Sequence, residues 1–259
     1  MKRMLSHAIA SMAPRASSAG VRVLMYHAID NPHPADALAL RVSRQRFLEQ
    51  MTLLRDGRYA VVPLHTVFDP DEADDHVRVA ITFDDGYLSQ KWAAEVLREF
   101  QFPATFFVVP RFLDGMQSPT VYWEAWEYLN WDELAAFVEE GFDIGAHSTT
   151  HLDLRKSTDA QLEDEVSGAR AILGQRLSTT IANISYPYGR HDSRVRRAVE
   201  RAGYQLGCTS RYGLNRTPGS AFSVRRTEVV GTDNLENFRL KVHGQYDWLG
   251  YWQDLRRAC

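Results

Sequence analysis

The sequence predicts an α/β protein, a distorted (β/α) barrel with about seven parallel strands. Short apolar, β-branched runs alternate with helical patterns about seven times along the chain. One strand, turn, helix and strand succession has the spacing of a βαβ unit, which requires parallel pairing and a right-handed crossover. Histidines and carboxylates recur directly after predicted strands, where the loops of a barrel mouth collect polar groups.

Composition predicts one globular domain over residues 21–259, after an N-terminal tail over residues 1–20. Hydrophobic residues make up 44% and charged residues 24% of the 259 residues, which is enough to fill a sizeable core. The net charge of −3 gives no general reason to expect a nucleic-acid partner. The tail is basic but lacks the apolar core of a signal peptide. No later run has the length of a transmembrane helix.

The two cysteines, Cys208 and Cys259, do not form the pattern of a disulfide framework and permit a reducing compartment. We therefore expect a soluble, cytoplasmic protein. A peripheral membrane association through a terminus stays open as an alternative.

The first half of the chain predicts a buried strand that delivers His27, then a helix that Ser43 caps and Gly57 ends. The predicted elements, in order, are a strand over Val21–Tyr26, a helix over 43–57, strands over 60–64 and Val77–Phe83, a helix over 88–100 and a strand over 104–109. Residues 69–76 carry five acidic side chains and are predicted to form a solvated loop.

An aromatic stretch over residues 111–131 has two interpretations. It contains Tyr122, Trp123, Trp126, Tyr128 and Trp131. These rings either form core beneath a long loop or form an apolar wall for a substrate such as the face of a sugar.

The second half continues the alternation of strands and helices. Its predicted elements are helices over 132–140, 158–177, 192–202 and 234–242, strands over 142–145, 181–185, 204–209 and 222–226, and an aromatic segment over 246–252.

Two motifs predict a metal site. Asp84 and Asp85 follow a predicted strand, and two adjacent carboxylates cannot both ionise cheaply without a cation or donor nearby. A solvated Asp-Asp-Gly turn is the alternative. His147 and His151 follow another strand at a spacing of four, so a helical turn would put both imidazoles on one side. Two imidazoles and one carboxylate form a three-ligand set for a catalytic divalent ion.

Hydrolysis at such a site also needs a base and an acid. The carboxylate that does not bind the metal is a natural base. His27 is a natural acid because it also follows a strand, although a histidine satisfied within the core is the alternative for it.

These residues carry a family resemblance. The chain resembles the polysaccharide deacetylases, carbohydrate esterase family 4 or the nodulation-type deacetylase domain, through Thr82-Phe83-Asp84-Asp85-Gly86, His147-Ser148-Thr149-Thr150-His151 and Tyr186-Pro187-Tyr188-Gly189. The resemblance covers about residues 21–230. It implies that Asp84 is the base and that Asp85, His147 and His151 hold the metal. It also implies that the backbone N–H of Tyr188 helps bind the oxyanion.

The sequence departs from the family pattern at two places. Ser185 stands where many members have an arginine, and the partner aspartate is missing from residues 204–215. Losing both charges is physically more tolerable than stranding one. Arg225 or Arg226 could supply the missing cation, and we place Arg226 with Tyr188 among the substrate-binding residues.

The acid histidine that the family usually carries near its C-terminus has no clear counterpart. His243 lies at the end of a predicted helix rather than after a strand. Met25-Tyr26-His27 instead resembles permuted members that act on poly-N-acetylglucosamine, so we assign the acid to His27.

The resemblance implies a metal-dependent hydrolase that removes acetyl from an N-acetylated amino sugar in a polysaccharide, lipid-linked or glycoside substrate. We expect one divalent ion, zinc, with cobalt, nickel or manganese as alternatives. The competing hypotheses are a sugar-binding pseudoenzyme and a hydrolase of a small non-sugar amide.

Overall fold

A computed structural model describes residues 20–34, 36–57, 59–69, 76–116, 126–216 and 219–258. The described strands are β1 (Val21–Tyr26), β2 (Ala28–Ile29), β3 (Arg41–Val42), β4 (Tyr59–Val61), β5 (Val77–Phe83), β6 (Ala104–Val108), β7 (Asp143–Ala146), β8 (Asn183–Ser185), β9 (Leu206–Cys208) and β10 (Thr227–Glu228).

Seven of these strands follow one another in a single curled sheet, in the order β10-β1-β5-β6-β7-β8-β9, and every pairing is parallel. Strand β4 also pairs with β5, while β2 and β3 form a separate small sheet. Because all seven strands run in one direction, their carboxyl ends meet at one mouth. The predicted fold class is confirmed.

The segment that leads into β10 connects the two edges of the sheet. The Val224 N–H donates to the Gly207 carbonyl at 2.9 Å, and the Thr209 N–H donates to the Val224 carbonyl at 2.8 Å. Thr227, three residues later, pairs with Leu24 on β1. Residues 224–228 therefore join the last strand to the first and complete the distorted barrel.

The predicted strand over 222–226 is wrong in position. Phe222 lies in a 3₁₀ turn, Ala221–Ser223, and the strand itself is Thr227–Glu228. Side chains bind the backbone groups that a regular ladder would use: the Tyr186 hydroxyl donates to the Phe222 carbonyl at 3.1 Å, and the Arg225 N–H donates to the Asn215 side chain at 2.9 Å.

The helices surround the sheet; Pro110–Leu113 and Trp248–Ala258 are not among the predicted helices, and the others follow the predicted order. They are α1 (Arg44–Asp56), α2 (Gln90–Glu99), α3 (Pro110–Leu113), α4 (Trp131–Glu139), α5 (Asp159–Glu163), α6 (Ala169–Leu177), α7 (Ser193–Arg201), α8 (Leu235–Val242) and α9 (Trp248–Ala258). Ser43 caps α1 by accepting the Arg46 N–H at 3.3 Å, as predicted.

Two predicted elements are interrupted. The helix predicted over 158–177 contains a π-helical turn, Asp164–Gly168, between α5 and α6. The strand predicted over 60–64 ends at Val61, and Leu64 begins a 3₁₀ turn, Leu64–Thr66. The predicted acidic loop lies mostly outside the described residues, since 70–75 are not described.

The aromatic stretch contributes core where it is described. Trp126 is buried, its ring centroid lies 4.3 Å from that of Tyr87, and the Arg41 guanidinium lies 4.1 Å from its ring. Tyr122 and Trp123 lie outside the described residues. Within the described part of the chain, no helix combines the length and apolar character needed to cross a membrane.

Candidate active site

One cavity of about 370 Å³ at the barrel mouth contains every residue that the sequence proposes for the site. It is lined by His27, Asp84, Asp85, His147, His151, Tyr188 and Arg226. His243 is not among its lining residues; it follows α8, and its imidazole lies 3.0 Å from the Tyr59 hydroxyl. The cavity therefore brings the candidate acid His27 to the candidate metal ligands.

Asp85, His147 and His151 have the geometry of a metal-binding set. The Asp85 Oδ1 lies 3.5 Å from the His147 Nε2 and 3.4 Å from the His151 Nε2. The three ligand atoms all lie within 4.8 Å of one another. Ligand atoms about 2.1 Å from a tetrahedral ion lie about 3.4 Å apart, so these residues fit a divalent ion such as zinc.

The tautomer and charge of the imidazoles suit this arrangement. The His147 Nδ1 lies 2.8 Å from the Ser185 carbonyl, so it carries the proton and leaves the Nε2 lone pair free. Burial lowers the pKa of His147 to about 4 against the opposing effect of Asp84, and burial lowers the pKa of His151 to about 4 as well. Both imidazoles are therefore neutral near pH 7.

The predicted helical turn between the two histidines is wrong. Residues 147–151 form a loop, called here the histidine loop, in which Ser148 has a φ of 59° and His151 a φ of 65°. Glu165, in the π-helical turn, holds this loop by accepting the Thr149 N–H at 3.0 Å and the Thr150 N–H at 2.9 Å. The loop therefore bonds to a buried carboxylate instead of closing its own helical hydrogen bonds.

Asp84 is held by a buried ion pair. The two terminal nitrogens of Arg226, Nη1 and Nη2, each donate to one Asp84 oxygen at 2.7 Å, and the Ser185 hydroxyl donates to Oδ2 at 3.1 Å. Burial raises the pKa of the Asp84 carboxyl, but Arg226 and His147 outweigh that effect and hold the pKa below its usual range. Asp84 is therefore ionised at neutral pH. Arg225 points elsewhere, to the Tyr212 carbonyl at 3.0 Å.

The site also concentrates unusual backbone conformations. Asp85 has a φ of 75° and Tyr188 a φ of 59°, and with Ser148 and His151 they make four of the seven non-glycine residues with positive φ in the described chain. Such conformations cost free energy and persist where the surrounding structure enforces them, which is common at functional sites.

Comparisons with known proteins agree on one family. A family model for polysaccharide deacetylases matches residues 71–207, which is more than half of the chain. The chain belongs to the polysaccharide deacetylase family.

Individual relatives support this family membership. The Bacillus subtilis protein YxkH is 26% identical over 211 residues, covering 80% of this chain and 70% of YxkH. The crystal structure of BC0361, a polysaccharide deacetylase from Bacillus cereus, matches with 26% identity and a TM-score of 0.71, covering 86% of this chain and 69% of that one. The Streptococcus pyogenes deacetylase PplD shares the fold, with 21% identity and a TM-score of 0.76 over 87% of this chain and 99% of PplD.

In this member of the polysaccharide deacetylase family, sequence reasoning missed two residues that support the site. Glu165 holds the histidine loop. The Gln90 side chain donates to the His27 carbonyl at 3.0 Å and to the Asp84 carbonyl at 2.7 Å, so it ties two strand ends together. Neither residue belongs to a motif, and both act through contacts between distant elements, so no local pattern could have identified them.

Proposed function

We propose that the protein is a metal-dependent hydrolase that removes acetyl from an N-acetylated amino sugar. The observation that carries the proposal is the Asp85, His147 and His151 cluster, at ligand-to-ligand distances, beside an ionised Asp84 in one cavity. Zinc suits this donor set, and cobalt, nickel or manganese are alternatives. Family membership supports a carbohydrate substrate.

The proposed reaction needs the following groups. A divalent ion held by Asp85, His147 and His151 would lower the pKa of a bound water and polarise the acetamide carbonyl. Asp84 accepts the proton of the attacking water, because Arg226 fixes its orientation and keeps it ionised. His27 donates a proton to the departing amine. The backbone N–H of Tyr188 faces the developing oxyanion in this proposal.

The Asp84–Arg226 pair supports a hydrolase over the sugar-binding pseudoenzyme. Arg226 comes from a different place in the sequence than the arginine of the family motif, and its side chain is fully buried against Asp84. The pair keeps Asp84 ionised beside the candidate metal ligands, which is the state that a base requires and that a sugar-binding site does not need.

Acetate release tests the proposed function. The zinc-loaded protein should release acetate and new primary amines in equal amounts from an oligomer of N-acetylglucosamine. Asp84→Asn serves as the inactive control. If the oligomer binds but no acetate is released when each of the four metals is tested in turn, this result would contradict the hydrolase and favour the pseudoenzyme.

A further inference from the structure

Glu228 is a carboxylate of the cavity that the proposed reaction does not use. It ends β10 and pairs in register with Met25 of β1. Neighbouring residues of paired strands face the same side of a sheet, and both Met25 and Glu228 line the cavity. The Glu228 side chain therefore faces the space that a substrate would occupy.

The backbone carbonyl of Glu228 is hydrogen-bonded within the protein, whereas its carboxylate is free to bind a ligand. The Glu228 carbonyl accepts the Lys241 Nζ at 2.7 Å and the Tyr212 hydroxyl at 3.3 Å. Among the described residues, no group donates a hydrogen bond to its carboxylate or forms an ion pair with it. The guanidinium of Arg226, which also lines the cavity, hydrogen-bonds to Asp84 and to the Thr209 carbonyl, and it attracts Glu228 only through the longer-range interaction of their charges.

The cavity also has apolar lining residues: Met25, Ala37, Leu38, Leu40 and Tyr87. A carboxylate without a hydrogen-bond partner in the part of the protein that the structure describes suits hydroxyl or ammonium donors of a ligand. A ligand carboxylate at the same place would meet a like charge, and such contacts suppress the wrong partner.

We propose that Glu228 is a specificity-determining residue that selects uncharged or cationic amino-sugar chains against chains bearing carboxylates. The inference rests on the proposed function and adds a substrate class to it. Glu228 binds hydroxyl or ammonium groups of the sugar chain and disfavours a carboxylate substituent beside the acetylated sugar.

The test compares two oligomers of equal length: one of N-acetylglucosamine, and one in which alternate sugars carry a carboxylate on an ether substituent. Glu228→Gln keeps the shape and removes the charge. Glu236→Gln is the matched control, because Glu236 lies exposed on α8, 3.2 Å from Arg239 and outside the cavity lining.

We expect the wild-type preference in kcat/KM for the uncharged oligomer to shrink about tenfold or more in Glu228→Gln, through a lower KM for the acidic oligomer. Glu236→Gln should keep the wild-type preference.

The outcomes separate the two claims. Acetate release by the wild type with an unchanged preference in Glu228→Gln would overturn the inference alone. No acetate release by the wild type from either oligomer would overturn the proposed function and, with it, the inference. Calorimetry with a fully deacetylated glucosamine oligomer supplies a readout independent of turnover: Glu228→Gln should bind this cation more weakly than Glu236→Gln, and equal affinities would contradict the proposal.

Discussion

Asp84 and Asp85 are adjacent in sequence, yet each carboxylate has one partner that the other lacks. Asp84 pairs with Arg226 at 2.7 Å, whereas Asp85 lies 3.4 Å from the His151 Nε2. Both carboxylates also approach the His147 Nε2, with Asp84 Oδ2 at 3.9 Å and Asp85 Oδ1 at 3.5 Å. Two neighbouring carboxylates can therefore carry out separate tasks.

We predict that Asp85→Asn weakens metal binding, because it replaces an anionic ligand by a neutral amide. Asp84→Asn should keep the metal and lose acetate release, because it removes the base. Metal content and turnover, measured on both purified variants, check this. Metal loss from Asp84→Asn with retention in Asp85→Asn would reverse the two assignments.

His27 is the residue that we propose donates a proton to the departing amine. Its ring lines the cavity, and its Nδ1 is buried without a hydrogen-bond partner among the described residues. We predict that His27→Ala keeps the metal and lowers turnover of the acetamide by about 10²–10⁴-fold. An activated ester should lose less, because its leaving group needs no proton.

His243→Ala is the matched control for this prediction. His243 contacts Tyr59 instead of the cavity, so its loss should leave turnover unchanged. Kinetics on both substrates decide. Equal losses on amide and ester, or an active His27→Ala beside an inactive His243→Ala, would move the acid to the C-terminal histidine.

At the scale of elements, the histidine loop depends on the π-helical turn packed against it. Glu165 is 5% exposed and accepts two backbone N–H groups and the Thr150 hydroxyl from the loop. A π-helical turn inserts one residue into a helix and is frequent at functional sites. In this protein the π-helical turn contains Glu165, whose carboxylate accepts the hydrogen bonds from the histidine loop.

We predict that Glu165→Ala lowers metal affinity about 10- to 100-fold, the range found for residues that orient metal ligands. The matched control is Glu163→Ala, an exposed neighbour on α5. Zinc titration in competition with a chelator measures the difference between the two variants. Wild-type affinity in Glu165→Ala would show that the loop holds its shape without this carboxylate.

The sequence predicts elements well where their signals are local. The strand Val21–Tyr26 and the strand Val77–Phe83 occur with the predicted boundaries, because runs rich in apolar and β-branched residues indicate strands directly. The spacing of the two histidines predicts a helical turn. The structure differs because spacing alone cannot reveal the positive φ of Ser148 and His151. The carboxylate that bonds to this loop, that of Glu165, is 14 residues beyond His151 in the sequence.

At the scale of the molecule, the ion pair of Arg226 and Asp84 links two segments that are far apart in the sequence. Arg226 comes from the segment that closes the sheet, and Asp84 follows β5, two strands away. The sequence leaves Arg225 and Arg226 as the two candidates for the missing cation, since both lie at the end of the predicted strand over 222–226. Only the folded chain shows that Arg226 faces the cavity and that Arg225 contacts Tyr212.

We predict that Arg226→Met lowers the free energy of unfolding by about 3–5 kcal/mol, because it leaves the Asp84 charge buried without its partner. Arg239→Met is the control; its exposed pair with Glu236 should change stability by no more than about 0.5 kcal/mol. Urea unfolding measures both. Equal stability of the two variants would contradict a structural role for this ion pair.

We propose that one divalent ion, held by Asp85, His147 and His151, makes this barrel a hydrolase. The most direct measurement titrates zinc into the chelator-stripped protein while acetate release from an N-acetylglucosamine oligomer is followed. Activity should rise to a plateau at about one equivalent per chain, and His147→Ala and His151→Ala should neither bind this equivalent nor gain activity. Full activity in the stripped protein, or in either variant, would contradict metal-dependent hydrolysis at this site.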